Sequence, residues 1–264
     1  MRIPQRARQH MRFACGVIAI LSIFVSGVQA ADIAKPEPKA GRAPVEPAYD
    51  WSGAYLGVSG GWAKGAFEHS FETSGRYNLF PGDTFGYRQG GAALGGQLGY
   101  NWQAGQWVIG LETAMVKTWI DSGEQASPFF PATDTWKSTL DWMATATGRA
   151  GFASNTWLAF VKGGLALASF HDQVQNRQDY ISVDLKRIGW TIGGGIEYAI
   201  ATNWVLGVEY NYYDLGLAHI TSPSISFGGG SFSAGFHRVE LTVQSVLARA
   251  SYKFGGYGKT SAQY

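Results

Sequence analysis

Residues 92–115 read AALGGQLGYNWQAGQWVIGLETAM, and the period of that stretch decides the fold. Ala92, Leu94, Gly96, Leu98, Tyr100 and Trp102 fall on one parity, and Gln97, Asn101 and Gln103 on the other. After the polar turn Gln103-Ala104-Gly105-Gln106 the pattern restarts, with Trp107, Ile109, Leu111 and Met115 opposite Val108, Gly110 and Glu112. Period two is the mark of a strand with two unlike faces, because successive side chains leave a pleated backbone on opposite sides. Two such runs across a short Gly-containing turn predict a β-hairpin.

The same layout recurs along the chain. Leu140, Trp142, Ala144, Ala146, Ala150 and Phe152 oppose Asp141, Thr145, Thr147 and Arg149; past Ser154-Asn155, Trp157, Ala159, Val161, Leu165 and Leu167 oppose Lys162. Ile188, Trp190, Ile192, Ile196 and Tyr198 oppose Thr191 and Glu197; past Thr202-Asn203, Trp204, Leu206, Val208, Tyr210 and Tyr212 oppose Glu209 and Asn211. A first strand at 51–62 and a last one ending Val246, Ala248, Ala250, Tyr252 and Phe254 complete eight. Three connections are short (103–106, 153–156, 201–203) and four are long and polar (about 64–88, 118–138, 169–186, 214–236). Short turns at one end and long loops at the other predict an all-β, eight-stranded antiparallel up-and-down transmembrane β-barrel. Val239, Leu241 and Val243 are out of phase with Val246, Ala248 and Ala250, which calls for a β-bulge near Gln244-Ser245 or a strand rising above the membrane.

Composition agrees. Charged residues are 15% of the 264, aromatics 14% and glycines 36 in number, with ten tryptophans. The charge is low against about 25% in soluble proteins, yet no apolar run reaches the ~20 residues of a spanning helix. Residues 1–30 read as a secretory signal: Arg2, Arg6, Arg8 and Arg12, an apolar stretch at 13–25, then Val28-Gln29-Ala30 as a cleavage site. Cleavage removes four Arg and changes the net charge from +2 to −2, leaving 17 basic and 19 acidic residues. No nucleic-acid footprint survives that change. Cys15, the single cysteine, lies in the leader, so the processed chain has no thiol chemistry. Residues 31–50, with Pro36, Pro38, Pro44 and Pro47, read as a periplasmic linker, 51–254 as an outer-membrane barrel and 255–264 as a short tail.

A periplasmic aromatic girdle is expected from Trp51, Trp102, Trp107, Phe152, Trp157, Tyr198, Trp204, Tyr252 and Phe254, all near the short turns. Such rings favour the lipid–water boundary. On the opposite parity, Glu112, Arg149, Lys162, Glu197, Glu209 and Arg249 place one charge on each of six consecutive strands at similar height, with Gln97 at a comparable level. An Arg or Lys facing mid-bilayer costs about 2–4 kcal/mol, so this parity faces the lumen. An eight-stranded barrel is just wide enough for side chains to fill it. The charges therefore predict a salt-bridged plug, with a narrow ion-conducting pore as the alternative.

Three segments together, AYDWSGAYLGVSGGW after the Pro-rich spacer, QLGYNWQAGQWVIGLE, and the closing VLARASYKF, resemble the small eight-stranded outer-membrane proteins of alphaproteobacteria. These are the porin-family, opacity-related surface proteins. The resemblance implies an abundant envelope protein without enzymatic activity, in contact with outer-membrane lipid and lipopolysaccharide. It also implies a terminal signal for the barrel-assembly machinery at Tyr252 and Phe254, although Tyr264 ends the chain and competes for that role. Some relatives bind haem or contact host surfaces; here His69, His171, His219 and His237 lie in the long-loop half and are the haem candidates. No cofactor, metal or catalytic set is expected: His69-Ser70 point to opposite faces of a strand, and His237 with Glu240 has no serine in place. The aromatics of Pro128-Phe129-Phe130-Pro131 and of 224–236 suit loop contacts with a partner.

Overall fold

A computed structural model describes residues 49–72, 80–128, 132, 135–175, 180–222, 225–227, 230–232 and 235–254, with the backbone alone over 218–237 and at several positions in 174–185. The leader at 1–30, most of the linker, the tail at 255–264 with Tyr264, and the aromatics of 129–130 lie outside the described residues. Eight long strands carry the fold: β1 (Gly53–Phe71), β2 (Thr84–Ala104), β3 (Trp107–Asp121), β4 (Thr135–Ser154), β5 (Trp157–Gln175), β6 (Tyr180–Ala199), β7 (Trp204–Ser222) and β8 (Gly235–Phe254). Each pairs antiparallel with its neighbours in sequence, and β1 pairs β8 from Ala54↔Phe254 to Phe71↔His237, closing the sheet. Partners followed once around from Lys64, through Gln244, Tyr212, Ile192, Gly163, Gly148, Leu111 and Tyr100, return to β1 at Ala54. The barrel thus closes with a shear of ten residues (64 to 54), consistent with strands tilted by roughly 40°.

The strands are 15–21 residues long, whereas about 9–11 suffice to cross a bilayer. Three of the four segments expected as long polar loops are therefore more than half strand: β1 and β2 stay paired to Ser70↔Thr84, and β5 and β6 to Gln175↔Tyr180, while 118–138 holds the longest stretch outside the long strands. Polarity misleads here because the outward face turns polar above the membrane while the inward face stays apolar, with Phe67, Phe71 and Phe170 buried. A strand rising above the membrane also explains Val239, Leu241 and Val243. All three point inward, in unbroken phase with Ser245, Leu247 and Arg249, so no bulge interrupts Gln244-Ser245. The irregularity lies higher, between Glu240 and Thr242, where β7 spends an extra residue at Gly216 in the left-handed region (φ 67°).

A second register shift lies between Leu140 and Trp142. Asp141 is the extra residue, and the parity of β4 reverses across it: Trp136, Ser138 and Leu140 face inward above, Met143, Thr147 and Arg149 below. Leu140, expected on the lipid face with Trp142, is therefore buried in the lumen.

The barrel lumen and its aromatic rims as a candidate functional site

The interior is built in tiers. At the periplasmic end Trp51, Val108, Ala153, Leu158, Ala199 and Val205 pack together. Trp51 is only 1% exposed and belongs to this floor, not to the girdle. The reason is local: β1 begins at Gly53, whose φ of 124° turns the preceding residues inward across the mouth. There the Trp51 N–H donates to Gln103 Oε1 (2.7 Å), and its indole N–H donates to Asn155 O (3.2 Å). Tyr49 stacks edge-on against Trp51 (4.9 Å) and lies under Lys253 Nζ (4.7 Å), whose ammonium donates to Asp50 O.

Above the floor sits a charged tier to which every strand contributes. Glu112 on β3 is its hub: Oε1 is 2.8 Å from Lys162 Nζ, and Oε2 is 2.5 Å from Arg249 Nη2 and 3.7 Å from Arg149 Nη1. Arg149 reaches Glu197 at 2.8 Å, Lys162 reaches Glu209 at 2.7 Å, and Arg249 binds both Glu209 and, at 3.6 Å, Glu197. All six charged side chains are buried. Three carboxylates meet three cations, so the tier is neutral. Neutral side chains take up remaining hydrogen-bond capacity. Tyr55 donates to Glu112 Oε2 (2.8 Å) and accepts from Arg149 (3.0 Å), Asn211 donates to Glu209 (2.7 Å), and Gln97 donates to Ser251 (3.2 Å). The Phe160 ring lies 4.1 Å from the Arg149 guanidinium carbon, a cation–π contact. Asn211 takes the inward parity that the sequence assigns it beside Glu209, whereas Tyr55 and Phe160 carry no charge or amide to mark them. Their inward parity was the available signal, since each shares it with a charge on its own or the adjacent strand.

A cavity with room for about one water lies among Ser59, Gln97, Thr145, Met143 and Tyr213. Higher still comes an apolar tier of Phe67, Val116, Ile120, Leu140, Met143, Phe170, Leu215, Leu241 and Val243. Topmost is a chamber in which His69 stacks on Phe85 (4.6 Å) and Tyr87 (5.7 Å) and tilts against Trp136 (5.1 Å). Beside it Tyr87 hydrogen-bonds to Ser138, which donates to Asp172 (2.6 Å). Burial pushes the Asp172 carboxyl up from 3.8 to about 6.

A serine, a histidine and an aspartate thus share one chamber, but Asp172 bonds the serine directly instead of orienting the histidine, so the geometry of nucleophile activation is not assembled. His69 faces into the barrel, while His171 lies on the outer wall, 2.5 Å from Asp184 and 2.9 Å from Ser182. These two haem candidates stand on opposite sides of the wall and cannot share a ligand. The side chains of His219 and His237 lie outside the described residues.

The outer surface completes the picture. Leu56, Val58, Leu94, Leu98, Ile109, Leu111, Val161, Leu165, Ile192, Ile196, Leu206, Val208 and Val246 form an exposed apolar band around the barrel. A continuous belt of this kind far exceeds the patches soluble monomers expose. Below it lie Trp102, Trp107, Phe152, Trp157, Tyr198, Trp204, Tyr252 and Phe254, all exposed and in ring contact as Trp107–Phe152 (5.6 Å), Trp157–Tyr198 (4.6 Å), Trp204–Tyr252 (5.4 Å) and Tyr252–Phe254 (5.1 Å). Above the band a second rim, Trp62, Trp119, Trp142, Trp190 and Tyr212, also faces outward. On their own strands Tyr212 and Trp204, or Trp190 and Tyr198, are eight residues apart, and Trp119 and Trp107 twelve, which brackets one bilayer crossing.

A closed barrel with an apolar belt between two aromatic rims is an integral outer-membrane β-barrel. The family model for the outer membrane protein beta-barrel domain matches residues 18–255, and the chain belongs to that family. It is similar to the 31 kDa outer-membrane immunogenic protein of Brucella melitensis biotype 1, 30% identical over 216 residues, covering 79% of this chain and 90% of the relative. It is also similar to the 22 kDa outer membrane protein of Rhizobium leguminosarum bv. viciae, 32% identical over 195 residues, covering 74% and 76%. Among solved structures, the outer membrane protein OprG of Pseudomonas aeruginosa aligns over 77% of this chain and 97% of its own, at 12% identity and a TM-score of 0.44. The protein is located in the outer membrane.

Proposed function

We propose that this chain is a non-enzymatic surface-display barrel: its lumen is plugged, and it holds four long hairpins outside the cell while reinforcing the envelope. The observation that carries the reading is the tiered interior, in which a neutral, fully buried charge network lies under an apolar tier and over the Trp51 floor. An ion crossing such a lumen would have to displace buried ion pairs and then apolar side chains, each at a cost of several kcal/mol. The direct bonding of Asp172 to Ser138 supports the absence of acyl-transfer chemistry. Tyr252 and Phe254 face outward at the end of β8, which supports their being read by the barrel-assembly machinery.

Planar-bilayer recording on the reconstituted protein tests the plug. No stable unitary conductance is expected, and a reproducible one overturns it. A peptide tag inserted at Gly82, in the β1–β2 connection, is expected to bind antibody on intact cells; access only after lysis overturns the display role. A deletion strain is expected to show increased permeability to detergents with unchanged hemin binding.

A further inference from the structure

The eight-stranded wall is continuous only up to the outer aromatic rim. Between β2 and β3 the last pair is Ala93↔Thr118, level with Trp62 and Trp119, and between β6 and β7 it is Trp190↔Asp214. Above those pairs β2 runs on to Thr84 and β6 to Tyr180, each paired on one side only among the described residues. The interfaces in between continue far higher: β8–β1 to His237↔Phe71, β7–β8 to Ser222↔Gly235, β4–β5 to Thr135↔Gln175. Two seams, four strands apart, thus divide the projecting half into two four-stranded leaves, β7-β8-β1-β2 and β3-β4-β5-β6, each carrying two of the four hairpins. Both seams start where lipid ends. Bare strand edges are excluded from hydrocarbon, whereas above it water can satisfy them.

Each seam is written into the strands that flank it. β3 slips register against β4 between Lys117 and Ile120, at the root of one seam, and β7 carries the Gly216 bulge at the root of the other. Irregularities of this kind bend a strand and end its pairing. Just above each root the strands cross at a glycine: a Cβ at Gly91 would strike Trp119 O, and one at Gly189 would strike Asp214 O. The polar pairs above the rim respect the division. Lys117–Asp141, Lys137–Asp121 and His171–Asp184 lie within one leaf and Arg238–Glu72 within the other. In the charged tier below, by contrast, Lys162 and Arg249 each bind carboxylates on both sides of that division. The leaves meet through side chains: the apolar tier, the rings of His69, Phe71 and Phe85 against Trp136 (5.1, 6.3 and 5.2 Å), Tyr87 bonded to Ser138, and Arg187 donating to Leu217 O (2.8 Å). Apolar and ring contacts are non-directional and re-form after sliding, which a backbone ladder does not allow. We propose that the projecting half is a two-leaf clamp: the leaves part along both seams about a hinge at the outer rim, moving the four hairpins as two coupled pairs while the charged tier keeps the lumen sealed. The inference goes beyond the display role and does not rest on it, because strand pairing sets the seams whatever the hairpins meet.

Pulsed electron paramagnetic resonance between nitroxide labels, on the full-length protein in lipid vesicles, tests the clamp. Cys15 is the single native cysteine, so in a Cys15→Ser background the labels sit only at introduced pairs. Thr84→Cys with Gln173→Cys reports from one leaf to the other, and Thr84→Cys with Leu217→Cys reports along one leaf. The first pair is expected to give a distance distribution about twice as broad as the second, with a separate longer-distance population. The Tyr87→Phe/Arg187→Gln double variant, which removes the Tyr87 and Arg187 bonds between the leaves, is expected to raise that population severalfold and to leave the second pair unchanged. Equal breadth of the two pairs in the wild-type background, or a response of the second pair as large as that of the first, overturns the proposal. Heat-modifiable electrophoretic mobility reports assembly. Should the double variant fail to assemble, the comparison of the two pairs in the wild-type background decides the question by itself.

Discussion

Glu112 touches all three cations of the charged tier, and its removal does more than delete one partner. In Glu112→Gln, three cations face two carboxylates in a tier sealed from solvent, and an uncompensated buried charge costs about 3–5 kcal/mol. Urea unfolding from lipid vesicles, followed by tryptophan fluorescence, should show that loss. Glu112→Gln combined with Lys162→Met restores neutrality and should recover most of it; a double variant no better than the single one would mean that shape, not charge balance, is what the tier requires. Asp172 behaves oppositely. Its neighbours are the Ser138 hydroxyl with Tyr87 behind it, the Gln173 backbone N–H, and His171 directed to the outer wall. Because burial raises its folded value from 3.8 to about 6, the folded state holds this proton more tightly than the unfolded chain. Its contribution is therefore most favourable below pH 4 and is lost as pH rises through 6, about 3 kcal/mol in all. Asp172→Asn should be more stable than wild type at pH 8 by up to that amount and no more stable at pH 4. A stability difference that does not change with pH would remove the carboxyl from the account.

At the scale of the strand, the membrane-crossing halves were legible in the sequence and the projecting halves were not. In the crossing half, lipid outside and charge inside enforce strict alternation, so the parities of Ile109/Glu112 and Ile196/Glu197 are unambiguous. Above the rim the outward face is free to be polar while the lumen is apolar, and the rule inverts. Val239, Leu241 and Val243 on β8 then look out of phase although the strand never breaks. The three register shifts, the third between Lys117 and Ile120 on β3, left weak marks. Asp141 is an ordinary polar residue in an alternating run, and Gly216 is one glycine among 36. The charged tier could be named from six strands, whereas its hub geometry depends on side-chain reach across the lumen, which period two does not encode. The Gly216 bulge can be tested by itself. A β-branched residue in the left-handed region costs about 1–2 kcal/mol or more, and Gly216 has nothing within 4 Å that a side chain would strike, so the penalty is conformational. Gly216→Val should raise hydrogen exchange in β7 and β8 above Asp214 and leave the lower halves protected, while Gly216→Asn should stay close to wild type. Uniform destabilisation along both strands would mean that the bulge is not an independent unit.

For the whole molecule, the two aromatic rims fix how deep the barrel sits, and Trp51 shows why position along a strand is not sufficient. Its place in the sequence matches that of Trp107, Trp157 and Trp204, each at the start of a strand next to the short-turn end, yet the inward turn at Gly53 carries it into the floor. Trp136 is likewise enclosed in the upper chamber at 0% exposure. The tryptophans thus divide into a lipid-facing set at two depths and an enclosed pair. With a rise of about 3.3 Å per residue and a tilt near 40°, ten residues span roughly 25 Å, the height of the apolar band of such barrels. Single-tryptophan variants in vesicles made with brominated lipids should separate the groups. Trp62, Trp190, Trp107 and Trp204 are expected to be quenched most strongly by bromines near the headgroups and weakly by those near the chain ends. Trp51 and Trp136 should be quenched severalfold less at every bromine depth. Quenching of Trp51 as strong as that of Trp107 would place it on the lipid face and open the periplasmic floor, and the closure of the lumen at that end would then have to come from the charged tier alone.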